Sequence, residues 1–221
     1  MNKEILKDLV DHLFAFDKGF SEDQKYNMAD FVGYLNAGLD SQPSEIRNLA
    51  GEEENWVKEY VDPNTEISTL IVFMYRYALG YFKKALKDSA INTLDEFSFL
   101  IVLMTYPSLS KTELIQKLIM EITSGVEVIK RLLKQGLIQE FANPNDKRSV
   151  LVSITAKGKK ELADLLPKMG LVGGVVVGNL TSAEITSLSF LLRKLDHYHN
   201  DIFLNNKNLS LQELSQKRSL T

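Results

Sequence analysis

Between Lys111 and Leu162 the sequence carries ten Lys and Arg against six Asp and Glu, a local balance of +4 inside a chain whose formal net charge is −3. Those cations are the chemistry on offer. Lys130, Arg131, Lys134, Lys147 and Arg148 can neutralise a polyanion, and the guanidinium forks of Arg131 and Arg148 suit phosphate or base edges. Covalent chemistry has no such support. Cys is absent, which removes thiolate nucleophiles, thiolate zinc sites, disulfides and thiol-based redox sensing. The histidines are His12, His197 and His199; the last two, two positions apart on a helix, diverge by about 200°, so no metal site is expected there despite Asp196 and Asp201. No Ser-His-Asp spacing, dinucleotide glycine fingerprint, zinc box or convergent acidic pair is found. The chain is expected not to be an enzyme and to need no cofactor.

The elements that must position these cations are legible from their helix starts. Four helix starts are marked by a hydroxyl residue followed three positions later by Glu: Thr93 with Glu96, Ser110 with Glu113, Ser124 with Glu127, and Thr181 with Glu184. In each, the hydroxyl accepts from a first-turn amide while the carboxylate reaches back to the cap amide, so a helix start is predicted. A helix from Ser124 should end at Gly136, a residue type at ease in a left-handed terminus. The periodicity then changes to a hairpin: Leu137 to Ala142 as one strand, Asn143 to Asp146 as turn, and Ser149 to Ile154 as the second strand. The segment thus reads helix, turn, helix, hairpin, with the first helix over Lys111 to about Ile119. A short helix propping a second lets the second enter a DNA major groove, with the hairpin touching backbone or minor groove. This is a winged helix-turn-helix architecture.

Around this segment the chain reads as mainly helical. Amphipathic helices are expected over about Lys3 to Phe16 and about Glu22 to Leu39, the second with a capping box at Ser21 and Gln24. The acidic stretch Ser44 to Asn64 is either a further helix or a solvated connector. A long helix follows from about Glu66 to Asp88, and helical pattern returns from Ala156. The last clear helix covers Ser182 to about His199, and a polar tail follows. Gly170, Gly173, Gly174 and Gly178 form a smooth ridge, read as a helix bend near a subunit contact or as a loop; with no following Lys-Ser/Thr and no preceding strand it is not a phosphate loop.

With 221 residues, 44% hydrophobic, 12 Gly and 5 Pro, the chain can bury a core without staples and lacks the composition of a disordered or fibrous protein. The N-terminus lacks the basic head and apolar block of a signal peptide, and the apolar stretches are too short or too charged to span a bilayer. A cytoplasmic location without membrane contact is expected. Charge is unevenly divided: Met1 to Glu66 carries 6 basic against 15 acidic residues, a balance of −9.

The run Arg131 to Leu162 resembles the MarR family of bacterial transcriptional regulators. That family's wing carries Asp, a basic pair, then an apolar strand ending in Thr before a Gly-containing helix start, here Asp146, Lys147, Arg148, Val150, Leu151, Val152, Thr155 and Gly158. The resemblance extends more loosely from about Glu66 to Asp196 and does not reach the first 60 residues. It implies a homodimer whose terminal helices pair and whose two winged domains read the halves of a near-palindromic operator on double-stranded DNA. The fold expected is mainly α with a small β-hairpin wing, a winged helix-turn-helix domain plus terminal dimerisation helices. Its parts would be an acidic helical extension over 1–65, a linking helix over 66–92, the DNA-binding domain over 93–160, and dimerisation helices with the polar tail over 161–221.

On the recognition helix Val128, Ile129 and Leu132 should face inward. Thr123, Ser124, Val126, Glu127, Lys130, Arg131 and Lys134 then face solvent or DNA, with Val126 suited to a thymine methyl. Ser110, Lys111, Lys147 and Arg148 complete the expected DNA-binding set. Arg148 at the hairpin tip suits the narrow minor groove or a phosphate, and Asp146 is expected to orient it. Glu127 departs from the family, which commonly has a basic residue there; it caps its own helix, accepts from a cytosine amino group, or marks weak DNA affinity, the first being preferred. Phe73, Tyr77 and Tyr81 form an aromatic stripe, which is either core or dimer interface, or the wall of a pocket for a small aromatic or hydrophobic effector. The alternative to the regulatory reading is a winged-helix protein interaction module with weak or lost DNA binding.

Overall fold

The computed structural model describes residues 2–18, 27–39, 63–144 and 146–218. They belong to two units, Met1–Asp62 and Pro63–Thr221.

In the first unit α1 (Lys3–Asp17) and α2 (Met28–Leu39) pair through aromatic side chains. Phe16 and Phe31 are buried, with ring centroids 5.3 Å apart, and Tyr34 lies 5.3 Å from Phe16. Asn2 caps α1 by accepting from the amide of Glu4. The described part of the second helix begins with a reciprocal pair in which the Asn27 amide donates to Asp30 Oδ2 at 2.8 Å. The capping box expected at Ser21 and Gln24, and nearly all of Ser44 to Asn64, lie outside the described residues.

The second unit opens with α3 (Pro63–Leu86), where the fixed φ of Pro63 suits a first helical position, and continues with α4 (Leu94–Thr105). Then come β1 (Leu109–Ser110), α5 (Lys111–Lys117), α6 (Ile122–Lys134), β2 (Ile138–Asn143) and β3 (Asp146–Ile154). The C-terminal part is α7 (Ala156–Val177), α8 (Ser182–Asn205) and α9 (Leu211–Arg218). One core holds the middle of this unit together. Phe99, Leu100 and Leu103 of α4, Leu114 and Ile115 of α5, Val128, Ile129 and Leu132 of α6, and Leu162 and Leu165 of α7 are buried with Ile91, Leu137 and Val152.

The hairpin is present with Ile138 opposite Ile154 and Glu140 opposite Val152, and a register shift falls between Ala142 and Asn143. It is not alone: Leu109 and Ser110 pair with Val152 and Leu151, so the sheet has three strands in the order β1-β3-β2. Two residues are too few to show a period-2 pattern, so the sequence carries no strand signal there.

Two further expectations are refined. The polar tail contains α9, started by Ser210, whose hydroxyl accepts from the Glu213 amide at 3.3 Å while Glu213 accepts from the Ser210 amide at 2.8 Å. This is the same hydroxyl and Glu spacing found at the other helix starts. The glycine ridge divides: α7 runs unbroken through Gly170, Gly173 and Gly174, and the chain bends at Gly178, whose φ is 61°. Across this turn α7 and α8 lie at 97° to each other. No single helix among the described residues is long and apolar enough to cross a membrane.

Candidate nucleic-acid interface

The α5 helix is fixed first. Ser110 accepts from the Glu113 amide at 3.2 Å, and Glu113 accepts from the Ser110 amide at 2.8 Å, the complete reciprocal box its sequence predicts. Lys111 beside it is ion-paired to Glu140 on β2 at 2.7 Å, tying the helix to the sheet.

The α6 helix crosses α5 closely because Gly125 faces Ile115. A methyl group at Gly125 would lie 2.5 Å from Ile115 Cγ1, inside any van der Waals contact. This crossing, and not Ser124, decides where the helix begins. It starts at Ile122 behind Glu121, whose side chain makes no cap bond, and Ser124 is already inside it. The capping role expected of Glu127 is therefore corrected: its carboxylate accepts from Lys130 Nζ at 2.7 Å. That hydrogen bond and the lysine charge hold the Glu127 carboxyl below the usual carboxylate range.

As expected, Val128, Ile129 and Leu132 are buried, while Thr123, Ser124, Glu127, Lys130, Arg131 and Lys134 are exposed. Val126 is only half-exposed and packs on the core, so the outward placement expected of it is corrected; the helix turn that carries Gly125 inward takes Val126 part of the way with it. Arg131 is held from behind. Its Nε donates to Glu96 Oε1 at 2.9 Å, with Glu96 1% exposed and the arginine side chain 45% exposed.

The far end of α6 is bolted to the start of α7. Gly136 turns the chain at φ 69°, a conformation that glycine adopts without a Cβ penalty. The Thr155 hydroxyl donates to the Gly136 carbonyl at 2.8 Å, and Lys157 Nζ to the Gln135 carbonyl at 2.8 Å. Neither bond has a signal in the sequence, because both depend on the hairpin bringing residues some 20 apart together.

At the wing tip Arg148 is exposed. Asp146 meets it through the backbone, its Oδ1 accepting from the Arg148 amide at 2.9 Å, so the carboxylate shapes the chain rather than gripping the guanidinium. Asn143 Nδ2 donates to Ser149 Oγ at 2.8 Å across the same tip. The side chain of Lys147 lies outside the described part. On α3, Phe73 and Tyr81 are half-buried and Tyr77 is exposed. They line neither of two grooves found on this unit, the larger of about 530 Å³ lying among Val102, Tyr106, Glu113, Gln116, Lys117, Ile119, Asp196, Asn200 and Leu204. Among the described residues no three His, Cys, Asp or Glu side chains are grouped to hold a metal.

A family model described as a winged helix DNA-binding domain matches residues 85–158. The multiple antibiotic resistance protein MarR of Salmonella typhimurium is 28% identical over 124 residues, 54% of this chain and 86% of that protein. The HTH-type transcriptional repressor NicR of Pseudomonas putida is 24% identical over 134 residues, 61% of this chain and 84% of that protein. A crystal structure of a point mutant of MarR from E. coli, complexed with operator DNA, superposes with a TM-score of 0.55 at 26% identity, covering 61% of this chain and 99% of that one. Over its winged-helix segment the chain is similar to MarR-family regulators. In a winged helix-turn-helix fold α6 stands where a recognition helix would lie, and the β2–β3 hairpin is the wing. The family is one of regulators and not of enzymes.

Proposed function

We propose that this regulator acts in the bacterial cytoplasm as a homodimer that binds a near-palindromic operator, each protomer laying α6 in the major groove and its wing along the minor groove. The observation that carries the reading is the two-sided character of α6: one face sealed into the core, the other presenting Thr123, Ser124, Glu127, Lys130, Arg131 and Lys134, next to an exposed Arg148. Ser110, Lys111 and Lys147 complete the proposed contact set, with Val126 beside it. The likeness to E. coli MarR, solved in complex with operator DNA, supports the DNA-binding reading.

Dimer formation is supported by apolar side chains left uncovered on α7 and α8, among them Leu171, Phe190 and Leu191 at 73, 58 and 54% exposure. A small hydrophobic or aromatic effector would act by preferring one spacing of the two recognition helices, since only differential affinity shifts an equilibrium. Phe73, Tyr77 and Tyr81 on α3 supply an aromatic surface for it.

The test is binding of duplex DNA from upstream of the protein's own gene, read by fluorescence anisotropy at several salt concentrations. Affinity should fall steeply with salt. Arg148→Ala should leave the melting temperature unchanged while lowering the slope of log K against log salt by about 0.9 for each phosphate no longer neutralised. An unchanged slope would remove Arg148 from the interface, and salt-insensitive or absent binding would contradict the reading as a whole.

A further inference from the structure

Glu96 is the one buried charged side chain among the described residues. An ionised carboxylate is tolerated away from water only where it is paired and hydrogen-bonded, and both oxygens of Glu96 are engaged. Its Oε2 accepts from the Asn92 amide at 2.8 Å and its Oε1 from Arg131 Nε at 2.9 Å. The first bond reaches the segment joining α3 to α4; the second crosses to the last turn of the recognition helix, 35 residues on. The hydroxyl-capped start at Thr93 does not need this geometry: the Thr93 hydroxyl already accepts from the Glu96 amide at 3.1 Å, and the carboxylate bypasses the Thr93 amide that a simple capping box would use.

Arginine has five N–H donors, and a side-on fork requires Nε. With Nε held by Glu96, a two-point grip by Arg131 has to be end-on, through Nη1 and Nη2, and the 45% exposure of the side chain leaves that edge outward. Residues that read bases lie toward the N-terminal end of an inserted helix. Arg131, in the last turn, is placed for phosphate instead.

We propose that Glu96 is a positioning residue for DNA binding, locking Arg131 into an end-on grip on a backbone phosphate. The inference rests on the DNA-binding reading given above. Its test turns on sign. Removing a negative charge near a polyanion tightens binding by Coulomb attraction alone, whereas loss of the lock weakens it. In Glu96→Gln one oxygen serves two donors and the charge that pairs with the guanidinium is gone, so the lock on Arg131 is weakened. Binding of the own-promoter duplex and of a scrambled duplex should both weaken about ten-fold, and the salt slope should fall by about 0.9 per phosphate released. Arg131→Gln should lower the slope equally, with no further loss in the double variant. Equal or tighter binding by a folded Glu96→Gln protein, at unchanged slope, would overturn the assignment while leaving the DNA-binding reading intact. Wild-type protein without salt-dependent duplex binding would overturn both. Should Glu96→Gln melt below the assay temperature, Arg131→Lys carries the test: an ammonium drawn to Glu96 has no second edge to present, so the slope again falls, and an unchanged slope rejects the proposal.

Discussion

Ser110 and Glu113 make the stability of the helix-turn-helix depend on the ionisation of one carboxyl. Hydrogen bonds from Ser110, its hydroxyl first and its amide second, hold the Glu113 carboxyl below its ordinary value of 4.5. A group whose folded pKa is depressed stabilises the fold above its unfolded value, and that contribution is lost as pH falls through the folded one. Denaturant melts should therefore show Glu113→Gln less stable than wild type at pH 7, with the difference shrinking as pH drops below about 4.5. Ser110→Ala should cost about 1 kcal/mol at neutral pH, the usual worth of an N-cap. The capping pattern is readable here because hydroxyl and carboxylate fall at a real helix start. The same spacing at Ser124 and Glu127 misleads because the pattern says nothing of the crossing at Gly125, which moves the start to Ile122. At Thr93 it is half right: the cap bond forms, but Glu96 turns to Asn92 and Arg131, partners that only tertiary structure brings near.

The recognition helix owes its placement to two joints, one at each end. At the front, Gly125 lets α6 approach Ile115 on α5, and the 2.5 Å that a Cβ would find there leaves no room for a larger side chain. Gly125→Val should destabilise the unit by roughly 1–3 kcal/mol, the range for overpacked cores, seen as a lowered denaturation midpoint with unchanged m-value. A variant as stable as wild type would mean that the two helices can slide apart without cost. At the rear, Thr155 and Lys157 hold the carbonyls of Gly136 and Gln135. Periodicity reveals the helices and hairpin because each spans several turns or alternations. It cannot reveal β1, whose identity lies in its pairing with Val152 and Leu151, nor α9, where polar composition hides the Ser210 and Glu213 start.

At the scale of the whole molecule, reading both halves of an operator requires two copies. The exposed apolar side chains on α7 and α8, Leu171 and Phe190 among them, are candidates for burial in an interface between copies. Light scattering should give twice the 25.0 kDa of one chain, and Phe190→Glu should shift the mass toward a single chain. A wild-type mass of one chain would remove the paired geometry. The acidic residues before Pro63 lie beyond the matched winged-helix segment 85–158. Their helical character is legible in α1 while their role is not, because an acidic amphipathic helix names no partner. The most direct measurement of paired operator binding is hydroxyl-radical footprinting on the duplex upstream of the protein's own gene. Two symmetric protected patches should appear with their centres about one helical turn, 10–10.5 base pairs, or a multiple of it apart, and Arg148→Ala should lose the minor-groove protection at the outer edges. A single unpaired patch, or no protection at protein concentrations that saturate the duplex, would contradict it.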